Sequence, residues 1–434
     1  MRRPLFSLFA IALLAGCGGA KTMPSSAPLV PAASVRRPSA GSAAANFTVS
    51  GRYIELNGSP FFVKGVDYWP TPIGVKPWDP PGLNDALRNG NRAIWERDLP
   101  LLRAAGINAI RVYNVVPPPY DKDTGPISDF LTAAWNNGDH PIYVLMTIHF
   151  AAEKLLDAGA VQALASQYRD LDKKYAQYPA VMGTTMSNEI MGLSFINKPQ
   201  WWANFNIVAK AAKQGFAQGG NADKLVLTAD YDPVGEIGIK AGEEHHAAVD
   251  AWGINAFRGR TLTNLFTEIA SVTKKPVLLT EYGAPASYHV DWKNTYSWKT
   301  GAWPAGIGSC TPTEPDGPTN RSAAELPETG NPAMAGLVDL ATNNASLLYS
   351  GFKDDDGIVS GGFYLEWSDE WWKAENGDAN VHYGNPRFAG HFPGCAYDEG
   401  WFGLNSVTKQ SGGVDKLTPR PTLAALEKVW STQP

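Results

Sequence analysis

Cysteine is scarce. Three residues in 434, Cys17, Cys310 and Cys395, exclude a small scaffold held together mainly by disulfides. Charge is also sparse: 18% of the residues are Asp, Glu, Lys or Arg, the formal net charge is −5, and Lys and Arg occur only singly or in isolated pairs. A nucleic-acid footprint needs clustered basic side chains, so no nucleic-acid partner is expected. Long apolar runs are missing too, apart from the stretch 5–15, which is too short for a permanent membrane span. No Gly-rich nucleotide loop, no Ser-His-Asp order and no Cys-His pair stands out. His245-His246 lacks a third ligand at zinc spacing, and "DDDG" at 354–357 lacks the alternating oxygens of a calcium loop. No metal and no cofactor is expected.

What the chain has in quantity is aromatic surface: 15 Trp, 16 Tyr and 17 Phe. Many of the Trp fall between apolar runs, among them Trp69, Trp78, Trp292, Trp298, Trp303, Trp371, Trp372 and Trp401. Flat rings with a polar tip suit an amphipathic ligand such as a sugar, although large barrels also use Trp as core filler.

The first residues, "MRRPLFSLFAIALLAGCGGA", place two Arg ahead of the short apolar run, the pattern of an export signal. The run ends in "LAGC", which resembles the bacterial lipobox, so residues 1–17 are expected to be a lipoprotein signal with Cys17 as the lipidated residue. The expected location is the bacterial cell envelope, with the membrane held through that anchor. Residues 18–46 are rich in Ser, Ala, Pro and Gly without apolar period, and read as a flexible tether. Cys310 and Cys395, both in Pro- and Gly-rich stretches, are expected to form a disulfide, with two free thiols as the alternative.

From residue 47 to 434 short β-like runs alternate with segments of helical period, the pattern of βαβ units. Eight runs can be counted, at 61–66, 108–113, 141–150, 181–189, 224–230, 250–255, 275–283 and 361–370. Helices are expected near 93–105, 128–138, 159–177, 200–218, 263–272, 333–349 and 420–430, and the crossover 231–249 is the poorest helical candidate. An Asn57-Gly58 turn marks a hairpin before the first run. The count predicts an α/β fold, a single (β/α)8 TIM barrel of 47–434 with long loops after strands seven and eight. The rival, an open doubly wound sheet, would want a phosphate turn after the first strand, and "KGVDYWPTP" offers none.

In a barrel the C-terminal strand ends converge on one pocket. "SNE" after the fourth run and "TEYG" after the seventh would bring Glu189 and Glu281 to opposite sides of it. Two facing carboxyl groups are what cleavage of a glycosidic bond requires. Together the motifs resemble the large clan of retaining barrel glycoside hydrolases. The resemblance implies Glu189 as acid/base, Asn188 as partner of a substrate hydroxyl, and Glu281 as nucleophile. "FFVKGVDYWP", "RDLPLLRAAGINAIRVYNV" and "VLLTEYGAP" resemble segments of the fungal β-1,3-glucanosyltransferases, whereas "GGFYLEWSDEWWK" and "EGWFGLNSV" resemble bacterial barrel glycosidases of several families.

The clan pattern further implies that Arg111 positions the nucleophile and that Trp367, beside Glu366, stacks beneath the sugar. Asp67, Tyr68 and His149, at other strand ends, are expected to bind sugar. Where the clan commonly has a Tyr after strand six, this chain has Phe257, so Tyr282, Tyr231 or another Tyr is expected to serve the nucleophile. The expected activity is a monomeric glycoside hydrolase or transglycosylase acting on a β-linked glycan, β-1,3-glucan first and β-mannan or another β-glucan next. The rival is a non-catalytic carbohydrate-binding envelope lipoprotein on the same barrel.

Overall fold

The structure is a computed structural model that describes residues 45–77, 92–115, 126–232, 234–262, 264–289, 323–325, 332–353, 357–374, 377–382, 387–388, 392 and 396–433. The expected signal, Cys17 anchor and Cys310–Cys395 disulfide, and the tether up to residue 44, lie outside the described residues; at the expected end of the tether Ala45 is already buried, its carbonyl accepting from Lys224 Nζ at 3.0 Å.

Eight parallel strand positions form the centre: β1 (Val63–Asp67), β2 (Ala109–Arg111), β3 (Tyr143–Thr147), β4 (Val181–Thr185), β5 (Leu225–Leu227, continued by Asp230–Tyr231), β6 (Trp252–Asn255), β7 (Val277–Tyr282) and β8 (Gly361–Tyr364). Each pairs in parallel with its sequence neighbours, and β8 pairs with β1 through Phe363 opposite Gly65. The ring closes at β5. Its first segment pairs with β4 and its second with β6, and a parallel bridge joins Leu227 to Ala251. This is a (β/α)8 barrel.

The break inside β5 has a local cause. The Thr228 hydroxyl accepts the Gly253 amide at 3.0 Å, taking a bond that the backbone ladder would otherwise use. Gly253 is required there because a Cβ would lie 2.2 Å from the Thr228 carbonyl oxygen.

Around the strands lie α1 (Arg92–Ala104), α2 (Pro126–Trp135), α3 (Ala158–Tyr175), α4 (Pro199–Gln218), α5 (Val234–Glu244), α6 (Leu265–Val272), α7 (Pro332–Lys353) and α8 (Pro421–Trp430). Helix α5 fills the crossover that looked least helical. Gly235, Gly238 and Gly242 depress its intrinsic propensity, yet Gly238 faces Met191 and Gly242 faces the Trp252 ring at distances no Cβ would allow. Packing overrides propensity here.

The predicted hairpin is present as antiparallel Phe47–Ser50 and Tyr53–Leu56, turning at left-handed Asn57 and Gly58 into Ser59–Pro60. Phe47 packs edge-on against Tyr143 and joins Val63, Leu145, Met182, Leu278 and Phe363 in an apolar plug at the N-terminal end of the strands. The opposite, C-terminal end therefore holds the polar residues. Its long connections contain Ser287–His289 paired with Ala323–Glu325 after β7, and Asn405–Thr408 paired with Lys416–Pro419 after β8. No helix among the described residues is long and apolar enough to cross a membrane.

Candidate active site

Strand β2 ends on Arg111, which is fully buried at the floor of the mouth. Its Nη1 donates to Glu281 Oε1 at 3.0 Å and to the Thr280 carbonyl at 3.1 Å, while Nη2 donates to Asn188 Oδ1 at 2.6 Å. A planar guanidinium suits this fork, because one rigid group spans β7 and the turn after β4. Burial opposes its charge, but Tyr113, Asp67 and Glu281 hold the Arg111 pKa above its ordinary value.

Glu281 receives a second hydrogen bond, from the Tyr113 hydroxyl to Oε1 at 2.8 Å. The Tyr113 ring lies between the Arg111 guanidinium, 4.5 Å from its centroid, and the parallel Trp69 ring at 5.2 Å. That column fixes where the hydroxyl points. Burial first, then the negative Asp67 and Glu281, push the Tyr113 phenol well above its usual range, so it remains a donor.

Strand β4 stops at Thr185, earlier than the run 181–189 suggested, and Asn188 and Glu189 sit in a tight turn beyond it. Ser187 and Glu189 both adopt positive φ, at 62° and 53°. Each such non-glycine residue costs on the order of 1 kcal/mol or more, and persists only where surrounding bonds over-determine it. Those bonds are present: Ser187 N to Tyr168 Oη at 3.0 Å, Glu189 N to the Ala229 carbonyl at 2.7 Å, and Met191 N to Asp230 Oδ1 at 2.7 Å.

Asn255, ending β6, ties the two acids into one network. Its Nδ2 donates to Glu189 Oε1 at 3.0 Å and to Asn188 Oδ1 at 3.1 Å, while its Oδ1 accepts from Thr280 Oγ1 at 2.7 Å. Glu189 is solvent-accessible over its own surface but stands deep among the walls of the mouth. The depth decides the direction of its titration. Desolvation, then the neighbouring Glu281 charge, push its pKa up to about 7, against the Asn255 bond and the Arg111 charge. The site thus holds two unlike carboxyl groups, Glu281 bonded directly to the guanidinium and Glu189 bonded to a neutral amide.

The structure brings Glu189, Asn188, Glu281 and Arg111 into one hydrogen-bonded cluster. His149 is exposed at the rim, its backbone amide bonded to Asn114 Oδ1. Five other expected site residues have almost no accessible surface. Tyr68 is fully buried, with its hydroxyl on Asp98 Oδ2 at 3.0 Å. Tyr282 stands edge-on to Tyr364, and the tyrosine that donates to Glu281 is Tyr113. Trp367 is 1% exposed and packs into the main core. Asp67 lies under Arg111, 3.4 Å away, and Glu366 is buried beside Glu370, which pairs with Lys373 at 2.5 Å. Phe257 packs edge-on against Phe392 and Phe402, an apolar rim where the clan pattern has a Tyr.

Tyr113 and Asn255 were missed. Tyr113 follows Arg111 by two residues, the spacing that keeps side chains on one face of an extended strand. Asn255 is a polar residue at a strand's C-terminal end, and the rule that selected Glu189 applies to it equally.

No protein-family model matches the chain. Over 248 residues, 52% of this chain and 46% of the other, it is 24% identical to the 1,3-beta-glucanosyltransferase GAS5 of Saccharomyces cerevisiae. It therefore spans about half the length of that curated relative. Among solved structures, ScGas2 in complex with a small compound superposes with a TM-score of 0.54 at 14% identity, over 90% of this chain and 70% of that one. The β-glucuronidase of Ruminococcus gnavus gives 0.54 at 12%, over 90% and 53%. A GH2 beta-galacturonidase from Eisenbergiella tayi gives 0.52 at 14%, over 90% and 54%. The fold is one these proteins share.

Proposed function

We propose that the chain is a retaining glycoside hydrolase or transglycosylase acting on a β-linked glycan, with β-1,3-glucan as the first substrate. One observation carries this reading: Glu189 and Glu281 share a hydrogen-bonded network, yet only Glu281 is gripped by a guanidinium. In the first step Glu281 attacks the anomeric carbon as the bond to the leaving oxygen breaks, and Glu189 gives its proton to that oxygen. Both hydrogen bonds to Glu281 fall on Oε1, which assigns the attack to Oε2. In the second step Glu189, now ionised, takes a proton from water or a sugar hydroxyl, whose oxygen displaces Glu281 from the anomeric carbon.

Asn188 contributes through its amide nitrogen. Its Oδ1 already accepts from Arg111 and Asn255, so Nδ2 is the group left to donate to a substrate hydroxyl. The choice of β-1,3-glucan rests on the likeness to GAS5 and ScGas2, and β-mannan is the next candidate. Attachment to a bacterial envelope through Cys17 belongs to the same proposal.

Reducing-sugar release and oligosaccharide profiling on a panel of β-glycans, with Glu281→Gln beside the wild type, tests it. Product from the wild type alone supports the reading. Glycan binding without release by either protein would favour a non-catalytic carbohydrate-binding role.

A further inference from the structure

Asp230 is 2% exposed and stands at the start of the second β5 segment, behind the turn that carries Glu189. Its Oδ1 accepts the Met191 amide at 2.7 Å, and its Oδ2 has no hydrogen-bond partner among the described residues. One residue earlier in the chain, Ala229 accepts the Glu189 amide at 2.7 Å. The strand thus grips the turn at two alternate amides, one with backbone and one with a side chain. Between them lies Ile190, 3% exposed, and beyond them Met191 seats against Gly238 of α5. Glu189, at φ 53°, is held between these points.

We propose that Asp230 is a positioning residue for Glu189: by accepting the Met191 amide it locks the left-handed turn that aims the Glu189 carboxyl at the leaving oxygen. The inference rests on the proposed role of Glu189 as acid. Asp230 acts through geometry, not through charge. Burial raises its pKa well above the usual carboxylate range, which favours the uncharged form. An amide at this position reproduces the shape, the neutral state and the acceptor oxygen. Alanine removes the acceptor and frees the turn.

A loosened acid has a signature that a general loss of structure lacks. Protonation by Glu189 matters when the leaving group is a sugar alkoxide and hardly matters when it is a dinitrophenolate, which departs without a proton. Asp230→Ala is therefore expected to lower kcat/KM on a β-1,3-gluco-oligosaccharide about 100-fold, the scale of a misplacement of about 1 Å. The same variant should stay within about threefold of wild type on the dinitrophenyl β-glucoside. Asp230→Asn should match wild type on both substrates. It should also leave the alkaline limb of the pH profile in place, since the charges around Glu189 (Glu281, Glu399, Arg111) and those around Asp230 (Arg111, Glu189, with Tyr231 alongside) are unchanged.

An equal loss on both substrates in a cooperatively melting Asp230→Ala protein would overturn the proposal. So would an Asp230→Asn profile shifted to lower pH, which would mean that an ionised Asp230 acts by charge. Where the alanine variant does not fold, Asp230→Ser, too short to reach the Met191 amide, carries the same comparison. Wild type and Glu189→Gln run beside these variants. No turnover by wild type would sink the functional reading, whereas a leaving-group split in Glu189→Gln but not in Asp230→Ala would sink this inference alone.

Discussion

Tyr113 donates its hydroxyl to Glu281 across a 2.8 Å hydrogen bond, although the two stand 168 residues apart in the chain. The tyrosine leaves from the end of β2 and the glutamate from within β7, and Arg111 joins both through its guanidinium. The position after β6 that the clan pattern would use is apolar Phe257, and Glu281 takes its tyrosine hydrogen bond from beyond β2 instead.

Removing that hydroxyl should cost chemistry without costing the fold. A hydrogen bond to a charged group is worth about 1.5–3 kcal/mol, so Tyr113→Phe should lower kcat by roughly 10- to 100-fold. The ring stays between Arg111 and Trp69, and thermal melting should change little. Steady-state kinetics beside a melting curve checks this; an unchanged kcat would remove Tyr113 from the account.

Activity should fall on the alkaline side as Glu189 loses its proton. Its pKa is raised to about 7, so the acid form is present below that value and is lost as pH rises through it. A pH profile of kcat/KM should show a limb near there, falling about tenfold per pH unit above it. Glu189→Gln should abolish the limb. A profile flat for two units beyond would show that no such acid operates.

Asp172 on α3 is fully buried, with neither carboxyl oxygen hydrogen-bonded among the described residues, and burial raises its pKa well above the usual range. Between its unfolded value of about 3.9 and the raised folded value, only the native carboxyl holds the proton, so native stability falls as pH rises. Asp172→Asn removes that titration. The variant should be more stable than wild type by about 1–3 kcal/mol near neutrality, with the gap widening as pH rises from about 4. Denaturant melts across that range read it directly, and a gap that narrows with rising pH would contradict it.

The barrel was legible in the sequence because buried parallel strands are short apolar runs, and eight of them alternate with helical period. Strand ends were not so plain: apolar character continues past Thr185 to Met186, while the chain has already turned left-handed at Ser187. The two facing acids were legible because Asn188-Glu189 and Glu281 interrupt apolar runs where a barrel opens. Tyr68, Tyr282 and Trp367 misled for the same reason that made them attractive, since an aromatic ring at a strand end suits a core as well as a sugar. Burial separates the two roles, and it is set by residues distant in sequence: Phe130 and Asp98 for Tyr68, Tyr364 for Tyr282. Helix α5 was obscured because its glycines serve contacts with Met191 and Trp252 that lie far away in sequence.

At the other end of the chain, the proposed anchor predicts a simple fractionation result. In a bacterial host the protein should partition with membranes and incorporate labelled fatty acid, and Cys17→Ser should abolish the labelling. Equal labelling of both proteins would sink the anchor at Cys17.

The central claim is that Glu281 forms a glycosyl-enzyme which Glu189 first helps to make and then helps to break. Proton NMR of the anomeric configuration in the first product from a β-1,3-gluco-oligosaccharide tests it most directly. The account predicts that the β-anomer appears first, from carboxyl groups about 5–5.5 Å apart. Initial release of the α-anomer would contradict it.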